Sequence, residues 1–169
     1  MKTQKFLFSL ISWSMLLLMA MMFFGPARVI TAAQESKADN ATSFYKQLLA
    51  PWVNFWNTYD LNMINQLFLT DERLSYFSSE KQGLIRGFEN VVKHHQGFGF
   101  VPGGKATSTR LWVEDVQGVN FGETLVVTAI WFFQKAEGET QKGPMTVVYI
   151  REGEKYKIAH MHFSNYSPD

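Results

Sequence analysis

The chain has 169 residues, 46% of them hydrophobic, with 16 Lys and Arg against 15 Asp and Glu and no cysteine. A formal charge of +1 excludes the strongly basic balance of a nucleic-acid-binding protein, so no nucleic acid is expected as a partner. Without cysteine there is no disulfide, no thiol nucleophile and no Cys-ligated metal.

Lys2 and Lys5 precede an uncharged apolar run, Phe6 to Phe24, followed by Gly25-Pro26 and Thr31-Ala32-Ala33. A short basic region, an apolar stretch, a helix breaker and small residues mark a secretory signal over 1–33, with cleavage expected after Ala33. The run of about 19 residues is also long enough to span a bilayer, so an uncleaved anchor through residues 6–24 is the alternative. Residues 1–33 hold Lys2, Lys5 and Arg28 and no acid. Removing them leaves 136 residues with 13 basic and 15 acidic side chains, one domain of ordinary size. The expected address is periplasmic or secreted, or membrane-anchored if the segment is kept.

Residues 34–42 are polar and read as a flexible lead. Thr42 or Ser43 can cap the next helix, where Phe44, Leu48, Trp52, Phe55, Trp56 and Tyr59 recur at helical spacing. Pro51 is expected to bend that helix or to close a short first segment. Asp60 is a good N-cap for a second short helix, Leu61 to Phe68. Leu74 to Phe77 reads as a short strand, Phe88 to Gln96 as a third helix, and Gly97 to Gly104 as a loop with two exposed aromatics, Phe98 and Phe100.

From Lys105 the pattern turns to strands: Thr107–Val116, Glu123–Lys135, Gly143–Arg151 and Lys155–Asn165. Gln117-Gly118, Glu137-Gly138 and Glu152-Gly153 supply turn chemistry between them. Helices followed by a four-stranded antiparallel meander define an α+β class, with the helices on one face of the sheet. Trp131 and Phe133 fall on one face of their strand and Phe132 on the other, so both faces are apolar. A partner subunit on the second face accounts for this pattern, and a homodimer through the outer sheet face is expected.

The last strand carries the most distinctive candidate chemistry. Strict alternation groups Ile158, His160, His162 and Ser164 on one face and Ala159, Met161 and Phe163 on the other. His160 and His162 are candidate general bases or polar pocket residues. A metal would need a third ligand, and of the adjacent His94 and His95 at most one can face inward, so no metal and no cofactor are expected. Asp60 is a helix cap first and a candidate pocket acid second. Glu114 and Asp115 must face opposite ways, and Arg86 and Arg110 are candidate contacts for an anion. No Gly-rich phosphate loop, Gly-X-Ser-X-Gly or zinc-protease motif is present.

Three segments carry a family resemblance: Tyr59-Asp60-Leu-Asn-Met-Ile64 through Phe68, Glu80-Lys-Gln-Gly83-Leu-Ile-Arg86-Gly87 with the helix to His95, and Ile158-Ala-His160-Met-His162-Phe-Ser164. Over residues 43–166 the chain resembles the nuclear transport factor 2-like superfamily, the cystatin-like α+β cone. The branch it resembles is that of the SnoaL-like and calcium/calmodulin-dependent kinase association domains. The resemblance implies a curved sheet enclosing a conical pocket, with dimerisation through the other sheet face. It does not fix function, since the superfamily spans enzymes and binding modules. The favoured reading is a dimeric cone that binds a small apolar or amphipathic molecule, lined by Trp56, Tyr59, Tyr76, Trp112, His160 and His162. A cofactor-independent lyase or isomerase is the second reading, with His160 or His162 as base, Tyr59 or Tyr76 polarising the substrate and Asp60 as a further candidate. A structural dimerisation module is the third.

Overall fold

The structure, a computed structural model, describes residues 32–135, 138 and 140–166. The apolar run 6–24 lies outside them. Among the described residues no helix is long and apolar enough to cross a membrane. Residues 37–169 form a compact unit.

Helix α1 runs Ala32–Thr58 without interruption and includes Pro51. Continuous helix takes the place of the expected lead over 34–42, and it runs on through Pro51, so no short first segment ends there. Pro51 and Gln47, whose carbonyl loses its partner to the proline, are both exposed, so water can satisfy that carbonyl. The inner stripe of the helix is Tyr45, Leu49, Trp52 and Phe55, at most 7% exposed. Full burial of each large apolar side chain stabilises by about 1.5–3 kcal/mol. A 3₁₀ turn at Leu61–Met63 leads into a single-turn helix α2, Ile64–Leu67. Helix α3 is Phe88–Gly97.

The strands are β1 Ser75–Phe77, β2 Ile85–Arg86, β3 Arg110–Asn120, β4 Thr124–Gln134, β5 Thr140–Glu152 and β6 Lys155–Phe163. They form one mixed sheet in the order β2-β1-β6-β5-β4-β3. The meander β3–β6 is the expected one, and the sheet gains β1, parallel to β6, and β2, antiparallel to β1. Gln117-Gly118 is not a turn: β3 continues to Asn120 through a bulge between Glu114 and Gln117, where Asp115 takes φ 51°. The extra residue flips the later half of β3 so that Val116 is buried. Gly118 then lies under the ring of Tyr45: a Cβ built there would stand 2.6 Å from that ring, so this close approach of α1 to β3 requires glycine.

A second bulge decides the fate of the histidines. Val148 pairs with His160 but Tyr149 pairs with Ile158, leaving Ala159 as the extra residue. Ile158, Met161 and Phe163 consequently share the inner face, at most 8% exposed. His160 and His162 share the outer face with Ser75 and Phe77, their register partners on β1. The strict alternation expected for this strand is thus corrected by one inserted residue.

Candidate functional site

The inner face of the sheet and the helices enclose a cavity of about 350 Å³. Its walls are aromatic. Trp52 and Trp56 come from α1, Tyr59 from the turn directly after it, Tyr76 from β1, Trp131 and Phe133 from β4, and Phe163 from β6. Phe98 joins from the loop after α3. The rings brace one another: Trp52 stacks on Phe163 at 5.4 Å, and Trp56 meets Phe133 edge-on at 5.9 Å. Polar groups enter from segments near the strand ends, namely Ser78, Ser79 and Glu80 after β1, Thr109 before β3, Lys135 after β4 and Gln141 early in β5. Glu80 and Lys135 are exposed and mark a charged rim. Glu80 is the one carboxylate lining the cavity among the described residues.

Tyr59 follows α1 in the left-handed region at φ 54°, a conformation that costs a non-glycine residue about 1–2 kcal/mol. Its backbone N–H donates to the Phe55 carbonyl and its carbonyl accepts from Val101 N–H, which fixes the helix end. Its ring stacks on Phe100 at 4.6 Å, and its hydroxyl accepts from Thr109 Oγ1 at 3.3 Å. Lys105 Nζ lies 4.9 Å from the ring centre. Tyr76 is 2% exposed, and burial pushes its phenol above the ordinary tyrosine range. It therefore stays protonated and can donate a hydrogen bond to a ligand but cannot serve as a base near neutrality. The indole N–H groups of Trp52 and Trp56 are buried without an acceptor among the described residues.

Of the residues expected at the pocket, Trp56, Tyr59 and Tyr76 line this cavity and Trp112, His160 and His162 do not. Trp112 is on the outer face, stacked on Phe132 at 5.0 Å with 7° between planes, and its Nε1 donates to Glu114. His160 Nδ1 is 2.8 Å from Ser75 Oγ, and burial followed by the neighbouring His162 lowers its pKa. His162 Nε2 is 3.4 Å from Ser164 Oγ. Asp60 caps: its Oδ1 accepts from Asn62 N–H at 3.0 Å and Gly103 N–H at 2.9 Å. The loop aromatics expected to be exposed are instead inside, Phe100 at 2% exposed and Phe98 half-buried against Trp56.

One buried polar residue stands beside the cavity wall. His95 is wholly buried among Phe55, Phe68, Tyr76 and Phe100. Its Nδ1 is 2.8 Å from the Val91 carbonyl, so Nδ1 carries the proton and donates, leaving Nε2 a bare lone pair. Burial pushes its pKa down to about 3, and the ring is neutral at physiological pH. Among the described residues no group of three or more His, Asp or Glu converges on a metal-sized site.

No known family profile matches the chain. No characterised protein matches it in sequence. Solved structures do match in shape. A nuclear transport factor 2-like superfamily protein from Salmonella enterica serovar Typhimurium is 17% identical, with a TM-score of 0.63 over 77% of this chain and 94% of that one. A candidate dehydratase of the same family from Streptomyces avermitilis is 16% identical, with a TM-score of 0.63 over 77% and 99%. The calcium/calmodulin-dependent kinase II hub of S. rosetta is 16% identical, with a TM-score of 0.60 over 71% and 92%. With helices on the inner face of an open mixed sheet and a cone between them, this chain has the nuclear transport factor 2-like, cystatin-like α+β fold.

Proposed function

We propose that the protein is an exported, homodimeric cone that holds a small apolar or amphipathic molecule. The carrying observation is the cavity of about 350 Å³ with an aromatic wall and a short polar rim. Ligand sites are commonly concave, mostly apolar and furnished with a few polar groups. The rim groups Glu80 and Lys135 and the protonated phenol of Tyr76 suit a ligand with one polar end. A dimer is supported by the outer sheet face, where Trp112, Ile130, Phe132, Val148 and Ile150 are only half-buried and Phe77 is 37% exposed. Export is supported by the basic, apolar and small-residue succession over 1–33. The outward placement of His160 and His162 weakens a lyase or isomerase reading based on those imidazoles, whereas binding needs no base.

Native mass spectrometry of the protein purified from its own host tests all three parts. The expected result is a dimer of chains starting near residue 34 that releases a small apolar molecule on denaturation. A monomer of uncleaved chains that carries no added mass, and that quenches no tryptophan emission with any apolar probe, would overturn the proposal.

A further inference from the structure

Immediately after Glu80 the chain leaves the rim of the cone. Lys81, Leu84, Ile85 and Arg86 then form one wall of a second cavity, about 360 Å³, and Asn90, Lys93 and His94 of α3 form the other. Three of these side chains are cationic and none is acidic. Ion pairs among the described residues involve only Arg73 and Arg151 as cations, so Lys81, Arg86 and Lys93 converge without a carboxylate partner. The walls themselves are fixed. Asn90 Nδ2 donates to the Arg86 carbonyl at 2.9 Å, and Gly87 N–H donates to the Leu74 carbonyl at 2.8 Å, so β2 and α3 are tied at the groove.

His94 forms the inner wall of the groove. Its ring is half-buried against Tyr76, His95 and Phe98, and its Nε2 is buried on that inner side without a hydrogen-bond partner among the described residues. Burial and then Lys81 lower its pKa. Like charges gathered around a rigid groove repel one another, and a bound anion removes that cost while gaining charge-assisted hydrogen bonds. The exposed side chain of Leu84 offers an apolar rest for an organic group beside the charges.

We propose that this groove binds a small oxyanion of two or more negative charges, of the phosphate or phosphate-monoester type. Arg86 supplies the planar fork, Lys81 and Lys93 supply point charges, and His94 closes the inner end. No residue lines both this groove and the cone, although the His94 ring rests on Tyr76 and Phe98 of the cone wall, so phosphate binding is read apart from any apolar ligand in the cone.

Inorganic phosphate and phenyl phosphate are titrated into the intact purified protein at pH 7.5 and constant ionic strength, with sodium chloride as the balancing salt. Backbone amide shifts of residues 81–94 and the imidazole proton of His94 are followed by NMR. The expected result is saturable shifts confined to that segment and a His94 pKa that rises when phosphate is bound. Arg86→Gln should weaken binding about tenfold and the exposed Lys93→Gln about threefold, both with unchanged circular dichroism. Tighter binding of phenyl phosphate assigns the site to esters, and equal binding assigns it to free phosphate. Shifts that stay linear to 50 mM, that sodium chloride alone reproduces, or that persist unchanged in both variants would overturn the assignment.

Discussion

Replacing His95 by phenylalanine should remove about 2 kcal/mol of the stability the protein loses between pH 7.5 and pH 5, a loss to which His94 and His160, also lowered by burial, add separately. His95 is wholly buried, and its folded-state pKa of about 3 lies far below the ordinary histidine value of 6.5. The unfolded chain therefore takes up a proton below pH 6.5 that the folded chain refuses until about pH 3. The stability tied to neutral His95 is complete above pH 6.5 and is lost as pH falls towards 3. One pKa unit is worth about 1.4 kcal/mol, so the linked loss is about 2 kcal/mol at pH 5 and approaches about 5 kcal/mol at the lower end. Phenylalanine fits the aromatic surroundings but loses the Nδ1–H bond to the Val91 carbonyl, at a cost of about 1 kcal/mol at every pH. Urea unfolding of both proteins at pH 7.5 and pH 5.0 measures the difference of differences, in which the carboxylates shared by both cancel. The variant should be less stable than the parent at pH 7.5 and more stable at pH 5.0. Equal pH dependence in the two proteins would show that His95 is not held neutral by burial.

Gly143→Ala should cost about 1–3 kcal/mol, because its Cβ would collide with the Ser164 carbonyl that Trp131 Nε1 donates to; differential scanning calorimetry and a red-shifted tryptophan emission report the loss. Gly118→Val should destabilise by a similar amount by pushing the Tyr45 ring off β3, measured by urea denaturation. Asp60→Ala should cost about 1–2 kcal/mol through the unpaired Asn62 and Gly103 N–H groups and speed amide exchange at both, while leaving binding of an apolar probe in the cone unchanged. Trp56→Ala should weaken that same probe about tenfold, since it removes the ring that joins Phe98 and Phe133 in the wall and rests on Phe100 behind it; fluorescence titration with an anilinonaphthalene dye reads the change.

Much of the fold was legible because two periodicities carry it. Apolar residues at helical spacing marked α1, though its N-terminal half buries Tyr45 and Leu49 rather than Phe44 and Leu48, and alternation marked β4 with Trp131 and Phe133 facing the cone and Phe132 away from it. What escaped was local insertion. The bulge at Ala159 reverses the faces of β6 downstream of it, which moves His160 and His162 out of the cone, and the bulge near Asp115 makes a strand of what reads as a turn. Neither carries a glycine in the extra position to announce it. Strand β2 is two residues long, too short for any period to register. The cavity's Trp56 and Tyr59 belong to the helix and turn that face the sheet and Tyr76 to the inner face of β1, all aromatic positions visible in the sequence, whereas Ser78, Ser79, Glu80, Lys135 and Gln141 reach the rim by tertiary placement alone. Trp112 was one residue out of phase: Leu111, its neighbour, lines the cavity.

The strand order β2-β1-β6-β5-β4-β3 has a consequence for how the protein is made. The strand that comes latest along the chain, Lys155–Phe163, lies in the interior of the sheet between β1 and β5. Until it emerges, β1 has no neighbour except the two-residue β2, and the long edge of β5 stands open. Ser75 and His160 must meet across 85 residues, the kind of distant pairing that slows folding. A chain still being synthesised is consequently held short of its folded form until nearly all of it has emerged. The same topology leaves partly made chains with an exposed β5 edge, where holding by a chaperone matters most.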